Sequence, residues 1–565
     1  MLLPLFHDLL IRFVYPVKTE IKPWFSSYPK DIPSELEYPE VPLHAILEKM
    51  AKKYPEKTVI TYSEKNITYT ELNSLSNQFA AALKALEVQK GDKVAIFLPN
   101  IPQFVIAYYG ILKAGAVLTA ISPLNKEREV AYQLHDSGAK ISVTLDTLYP
   151  IIEKIWRKTK LKNTIITSLN EYASKIPMYS KIKMPPNTTS FQELMTESAK
   201  PNTITINPRD DLAALQYTGG TTGIAKGAML THENLVSNAV AFAVWIKGVI
   251  AKEKFIASLP LFHIYGMTTS MNAPVSLAAE IVLLPKFEPV AVLKTIQRHC
   301  ITVFCGVPTM YSVLLANPTL SKVNLTSIRV CISGGSPLPS QIQKRFMEVT
   351  GGFLAEGYGL TEASPVTHCN PVDKTLRTVK VGSIGLPLPD TQARIVDVET
   401  GKKTLEPGEI GELAVKGPQV MRGYWRKPEE TSLVVRNGWL LTGDIARMDR
   451  HGYFYITDRK KDLIKYKDYS VYPRELEDVL YEHPAVKLCA VIGKPSPVVG
   501  ELPKAFIVLK DDAEATEAEL IAFVKEKVAP YKAVREVEFR QELPISAAGK
   551  VLRRVLQKEE TQRTT

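Results

Sequence analysis

LAALQYTGGTTGIAKGAMLTHEN, residues 212–234, joins a short apolar run to a loop that cannot build a core. Leu212 to Tyr217 has the length and composition of a buried strand. Thr218, Gly219, Gly220, Thr221, Thr222 and Gly223 follow, then Lys226 and Gly227. Glycines let backbone N–H groups converge on one point, and threonine hydroxyls add further donors. With the Lys226 ammonium beside them the run suits a polyanion, a better reading than an ordinary glycine-rich turn. Ala225 precedes Lys226, and Lys226 precedes Gly227, so the pattern is not the G-x-x-x-x-G-K-[ST] of a Walker loop. A kinase or motor ATPase of the usual kind is therefore disfavoured.

Outward from this loop, helical and strand patterns alternate. Leu43–Tyr54 reads as a helix, Thr58–Tyr62 as a strand, Thr70–Leu86 as an amphipathic helix with Thr70 as its cap, Lys93–Leu98 as a buried strand and Gln103–Ala114 as a helix. Thr231–Ile246 is apolar enough for a buried helix, residues 301–315 read as strand, Gly-Val-Pro turn and helix start, and Ile328–Ser333 as another buried strand. Such alternation predicts an α/β fold with helices covering mixed or parallel sheets. Residues 150–206 are more polar and predict one helix and variable loops. From about residue 376 the strand signals Ala393–Val396, Gly411–Val415 and Gly438–Leu441 predict a β-rich subdomain. The charge cluster Asp458–Asp462 follows a strand and marks a domain boundary; beyond it come a hairpin (Leu463–Lys467 with Ser470–Tyr472) and a helix, Arg474–His483, opened by Pro473. The expected division is an arm at 1–42, a large domain at 43–457 and a small α+β domain at 458–565. Residues 20–42, rich in proline and aromatics, read as an extended arm strapped over the body.

A chain of 565 residues is too long for one core. Its 45% hydrophobic and 23% charged content is that of an ordinary globular protein. A net charge of +11 suits nucleotide substrates, an anionic membrane surface or nucleic acid. Without a Lys/Arg run or arginine-rich arm, nucleic acid is disfavoured. Five cysteines without C-x-x-C or zinc spacing read as reduced thiols of a cytoplasmic protein. MLLPLFHDLLIRFVYPV carries His7, Asp8 and Arg12 and lacks both a basic n-region and a cleavage site, so a secretory signal is not expected. Nor is a transmembrane helix, since no apolar run is long enough. This N-terminal segment fits a peripheral contact at the inner face of a membrane, and equally well a segment packed on the protein body. A homodimer is compatible with the sequence.

Other clusters carry chemistry. His263 lies in the apolar run Ser258–Met267, flanked by aromatics and followed by Gly266, which suits a pocket wall as well as a core position. Ile328–Ser333 ends in Gly334, Gly335, Ser336 and Pro337. Gly357 and Gly359 bracket Tyr358, so a flat ring can lie close to backbone, as adenine stacking requires. Glu362, after Leu360 and Thr361, is a hard carboxylate suited to ATP-bound Mg²⁺. Asp444, in Thr442-Gly443-Asp444, can accept ribose hydroxyls or simply end a turn. Lys550 follows a run of small residues; taken alone it is a solvated basic tail.

Together YTGGTTGIAKG, LPLFHIYG, GGSPLP, EGYGLTE, TGD, DRKKDLIK, VYPRELE and GKVLRR resemble the motifs of the adenylate-forming superfamily over nearly all the chain after residue 40. EGYGLTEASP with KGPQVMRGYW resembles bacterial long-chain fatty-acid CoA ligases in particular. The resemblance implies a large domain and a small mobile one joined by a hinge at Asp458. It implies a reaction in two halves: a carboxylate attacks ATP, and coenzyme A then takes the acyl group. By the same resemblance Thr218, Gly219, Gly220, Thr221, Thr222, Gly223 and Lys226 hold phosphates. Gly335, Ser336 and Pro337 line adenine, and Tyr358 stacks on it within the run Gly357–Thr361. Glu362 and Thr221 serve Mg²⁺, Asp444 takes the ribose with Arg459 beside it, and Lys550 reaches the transferring oxygens. His263 stands at the acyl entrance, with Tyr265, Met267, Val307 and Met310 as an apolar acyl pocket. Asp468 replaces the glycine usual at the pantetheine channel, which bears on the CoA step and leaves adenylation untouched; two neighbouring readings are an acyl-AMP ligase that serves a carrier protein and an aryl-acid CoA ligase. A non-catalytic nucleotide- or acyl-binding protein is a third, disfavoured because such a protein has no use for Lys550.

Overall fold

The structure is a computed structural model and describes residues 22–173, 185–195, 204–218, 225–372, 379–467, 469–496, 498–545 and 551–564. The chain forms two compact units, Met1–Gln392 with Lys416–Leu440, and Ala393–Val415 with Leu441–Thr565.

The first unit holds two large sheets covered by helices, the α/β architecture expected. In chain order its strands are β1 (Thr58–Tyr62), β2 (Lys65–Thr68), β3 (Lys93–Phe97), β4 (Val117–Ala120), β5 (Ile141–Leu145), β6 (Asn163–Thr167), β7 (Thr188–Ser190), β8 (Leu212–Tyr217), β9 (Gly227–Thr231), β10 (Lys254–Ala257), β11 (Glu280–Leu283), β12 (Val303–Gly306), β13 (Val330–Ser333), β14 (Phe353–Gly359), β15 (Val366–Cys369) and β16 (Leu386–Pro387). One sheet runs β7-β6-β5-β3-β4-β8-β9, the other β16-β15-β14-β13-β12-β10-β11-β1-β2. In the first, only the β8–β9 pair is antiparallel. Both faces are covered, so strands such as β4 and β5 are buried along their whole length and read as continuous apolar runs. β6 and β7 lie where only a helix and loops were expected. β7 is three polar residues with no periodicity, and its pairing with β6 alone makes it a strand.

Two helix starts show local chemistry at work. The helix Tyr69–Ala85 is capped by Thr68, not Thr70: Glu71 N–H donates to Thr68 Oγ1 (3.2 Å), and Glu71 Oε2 accepts from Thr68 N–H (2.7 Å). The T-x-x-E box runs from Thr68 to Glu71 and leaves Thr70 in the first turn. Thr231 caps the helix His232–Trp245, whose residues are buried all round except Glu233. Hydrogen bonds pin the described part of the arm to the body. Tyr28 Oη donates to Pro387 O (2.7 Å), and Leu36 N–H donates to Asp390 Oδ2 (2.9 Å).

The second unit contains the greater part of β17 (Gln392–Val396), β18 (Gly411–Lys416) and β20 (Trp439–Met448), and all of β21 (Phe454–Arg459). β19 (Val435–Arg436) pairs with the first two residues of β20. A second sheet is made of β22 (Ile464–Tyr466), β23 (Tyr469–Val471), β24 (Val486–Ser496), β25 (Gly500–Leu509) and β26 (Glu536–Phe539). Its two long strands alternate beyond an irregularity between Val486 and Leu488. Cys489, Val491, Ala505 and Ile507 face one core with Leu476, Leu480, Leu520 and Val524; Ala490, Ile492, Phe506 and Val508 face another with Leu543 and Leu556. Asp458 and Arg459 are the last residues of β21 rather than following it, because β21 pairs with β20 as far as Arg459; the turn is Lys460–Asp462.

Candidate functional site

β8 and β9 form the two arms of the glycine-threonine loop, in register from Leu212↔Thr231 to Tyr217↔Gly227. Thr218 N–H donates to Lys226 O (2.9 Å) and closes the ladder at the loop mouth. Gly219–Gly223 lie outside the described residues. The loop base is braced by the helix Glu127–Ser137: Tyr132 Oη donates to Ala225 O (2.9 Å), and Tyr217 Oη to Asp136 Oδ2 (2.5 Å).

A distant segment, Met421–Trp425, lies along β9 as an extra edge. Met229 N–H donates to Gly423 O (2.9 Å), Arg422 N–H to Met229 O (3.0 Å) and Trp425 N–H to Gly227 O (2.8 Å). The same segment holds the turn Thr361–Ala363, since Met421 N–H donates to Glu362 O (2.8 Å). Tyr424, buried between them, donates its phenol to Glu362 Oε1 (2.6 Å), and Lys226 Nζ sits 4.5 Å from the centre of its ring. Burial and the Glu362 charge push the phenol far above its ordinary pKa, so it remains a donor. Glu362 Oε2 has no hydrogen-bond partner among the described residues, which also contain no group of three or more His, Cys, Asp or Glu arranged to hold a metal ion. A lone carboxylate oxygen beside a phosphate loop fits Mg²⁺, which favours few protein ligands plus substrate oxygens.

The residues expected at adenine lie at the carboxyl ends of β13 and β14, the part of an open α/β sheet that takes ligands. Gly335 and Pro337 are exposed and Ser336 half-buried beyond β13, while Tyr358, half-buried, is the next-to-last residue of β14. Gly359 is forced by close approach: a Cβ there would meet Pro365 O at 2.2 Å. Leu360 and Thr361 are half-buried. Tyr358 packs edge-on against buried His368, whose pKa burial lowers to about 3.

His263 caps the short helix Ile264–Met267, its Nδ1 accepting from Tyr265 N–H (3.2 Å). Gly266 tolerates no side chain, since a Cβ would lie 2.3 Å from Pro260 O. Tyr265 Oη donates to Ile332 O (2.9 Å) and Gly306 O (3.2 Å), so its ring bridges β12 and β13. Met267 and Val307 are buried, Met310 half-buried. Gln216 and Asn100 anchor this segment. Gln216 Nε2 donates to Phe262 O (2.9 Å), and Asn100 Nδ2 to Leu259 O (2.8 Å) while its Oδ1 accepts from Leu261 N–H (2.8 Å).

In the second unit Arg459 Nε and Asp444 Oδ1 are 3.2 Å apart across the β20–β21 pair. Asp458, 2% exposed, accepts from Arg459 N–H (2.7 Å), Arg474 N–H (2.8 Å) and Arg553 Nη1 (3.4 Å). Arg553 also engages Asp462 Oδ2 (3.2 Å) and both Glu477 carboxylate oxygens (3.0 and 2.5 Å). Lys550 and Asp468 lie outside the described residues. Sequence reasoning missed Tyr424, Asn100, Gln216 and Arg553. Only Tyr424 had a local signal, a glycine-preceded aromatic pair in MRGYW.

The chain matches the AMP-binding enzyme family over residues 47–425 and the AMP-binding enzyme C-terminal domain over 475–550. It is 45% identical over 556 residues to a long-chain-fatty-acid–CoA ligase of Bacillus subtilis (strain 168), covering 96% of this chain and 98% of that protein. Another ligase of that name, from Salmonella typhimurium, is 37% identical over 95% of this chain and 98% of its own length. Among solved structures, ATP-bound MatB from Rhodopseudomonas palustris superposes with a TM-score of 0.82 at 30% identity, covering 93% of this chain and all of that one.

Proposed function

The chain belongs to the AMP-binding enzyme family, and from that premise we propose that it is an AMP-forming fatty-acyl–CoA ligase for medium- or long-chain acids. The observation that carries the site reading is the convergence of Lys226 and Glu362 on one tyrosine at the mouth of the phosphate loop. Opposite charges held apart by a ring suit a substrate that carries both phosphates and a metal ion.

In the first half-reaction a fatty-acid carboxylate oxygen attacks the ATP α-phosphorus, the bond to the pyrophosphate oxygen breaks, and acyl-adenylate forms. Backbone and hydroxyl donors of Thr218–Gly223 and the Lys226 ammonium bind the β- and γ-phosphates. Gly335, Ser336, Pro337 and the Tyr358 ring take adenine, while Asp444, oriented by Arg459, accepts the ribose hydroxyls. Glu362 and Thr221 would hold Mg²⁺, whose charge neutralises the phosphates when bound. Lys550 offers its proton-bearing nitrogen to the transferring oxygens. In the second half-reaction the coenzyme A sulfur attacks the acyl carbonyl carbon and AMP leaves. His263 stands at the acyl entrance, with Tyr265, Met267, Val307 and Met310 as pocket wall. Between the halves, residues 458–565 turn as a small domain about the Asp458 end of β21 and the turn Lys460–Asp462. Five unpaired cysteines support a cytoplasmic setting, and residues 1–21 a peripheral membrane contact.

The test is a mass-spectrometric product assay with ATP, Mg²⁺ and a panel of short, medium, long-chain and aryl acids, with and without coenzyme A. Acyl-CoA and AMP from medium- or long-chain acids are expected. Acyl-adenylate that accumulates and ignores coenzyme A would replace the proposed acceptor with a carrier protein and implicate Asp468. No adenylate from any acid would overturn the enzyme reading.

A further inference from the structure

We propose that Tyr424 is a positioning residue that holds Lys226 and Glu362 at a fixed separation; the proposal rests on the reading that these two groups serve ATP and its metal ion. A lysine and a glutamate lining one small site attract each other strongly wherever water is scarce. Paired directly, each would neutralise the other, and neither would be free for a substrate. Tyr424 stands between them and gives each a weaker partner. Glu362 receives one phenolic hydrogen bond at 2.6 Å on Oε1, which orients the carboxylate and leaves Oε2 open. Lys226 meets the ring face at 4.5 Å, an attraction of the ammonium to the aromatic quadrupole.

The tyrosine is itself immobilised. Its N–H donates to Thr431 Oγ1 (2.9 Å), and the neighbouring Trp425 N–H is tied to Gly227 O and Met421 N–H to Glu362 O. It is 6% exposed, so the ring has no solvent-filled space to swing into. Lys226, Glu362 and the tyrosine between them thus belong to three chain segments locked by backbone hydrogen bonds, and a side-chain change at residue 424 alters spacing without undoing that frame.

The experiment compares Tyr424→Phe, which keeps the ring and removes the phenol, with Tyr424→Leu, which removes both. Mn²⁺ binding to the full chain with the non-reactive analogue α,β-methylene-ATP is read from the free-Mn²⁺ paramagnetic resonance signal, and analogue binding without metal by calorimetry. In Tyr424→Phe the Mn²⁺ dissociation constant is expected to rise about 10-fold, as for loss of a metal ligand's orienting partner. Metal-free analogue binding stays within about twofold of the unchanged chain. Tyr424→Leu is expected to lose about threefold in metal-free binding as well, because the cation–ring contact goes too. Wild-type Mn²⁺ affinity in Tyr424→Phe would overturn the proposal. Should Tyr424→Leu not fold, the phenylalanine variant decides alone, since it preserves the ring's volume. If Glu362→Gln binds Mn²⁺ and Lys226→Ala binds the analogue as the unchanged chain does, the reading beneath the proposal fails instead.

Discussion

Single residues carry two consequences that follow from charge and burial. Lys550 is assigned to oxygens that gain charge during adenylyl transfer, where one matched cation is worth on the order of 3 kcal/mol. Lys550→Ala should therefore slow pyrophosphate release about 100-fold in a single-turnover assay; an unchanged rate would remove the assignment. Asp390 lies under the arm, accepting from Leu36 N–H, and burial raises its carboxyl to about 6. An unfolded aspartate titrates near 3.9, so the folded chain holds this proton more tightly. Its stabilising contribution is complete below about pH 4 and is lost as pH rises through 6, roughly 3 kcal/mol in all. In Asp390→Asn, hydrogen exchange around Leu36 should lose that dependence between pH 4 and 7. A slope equal to that of the unchanged chain would place the titration elsewhere.

Among elements, the helix Tyr69–Ala85 owes its start to the Thr68–Glu71 box. Thr68→Ala should cost about 1 kcal/mol locally, seen as roughly fivefold faster amide exchange over Tyr69–Leu72 with distant strands unaffected. Thr70→Ala should leave those amides unchanged, which separates the observed cap from the one the sequence suggested. The C-terminal helix Arg553–Thr564 opens on an arginine shared by Asp458, Asp462 and Glu477. Removing one member of a buried ionic group leaves the others charged and unpaired, a loss of about 3 kcal/mol or more. Arg553→Met should show this as faster exchange in β24 and β25, and Arg553→Lys should not restore protection, because an ammonium cannot make the forked contact to Glu477.

For the whole molecule, a charge of +11 favours electrostatic attraction to an anionic surface. The full chain should sediment with phosphatidylglycerol vesicles at low ionic strength and come off at about 0.5 M salt, where screening is nearly complete. Residues 1–21 balance Asp8 and Glu20 against Arg12 and Lys18, so deleting them should leave that salt-sensitive binding in place. Binding lost on deletion would move the contact from the basic body of the protein to the N-terminal segment.

The stretch 212–234 was legible because its physics is local: a buried strand must be apolar, and a run of glycine and threonine has little use except to present donors. The strand limits Leu212–Tyr217 and Thr58–Tyr62 agree with the structure to the residue for the same reason. β7 was not legible, because three polar residues become a strand only when β6 offers its edge. Nor was the placement of Asp458 inside β21, which depends on how far β20 continues opposite it. Tyr424 is 62 residues from Glu362 and much farther from Lys226. Sequence supplied a cation, Lys226, and a carboxylate, Glu362, for a loop expected to take phosphates. Only the tertiary structure decided what stands between them, since the spacing of groups from three separate segments is set by backbone pairing that no single segment contains.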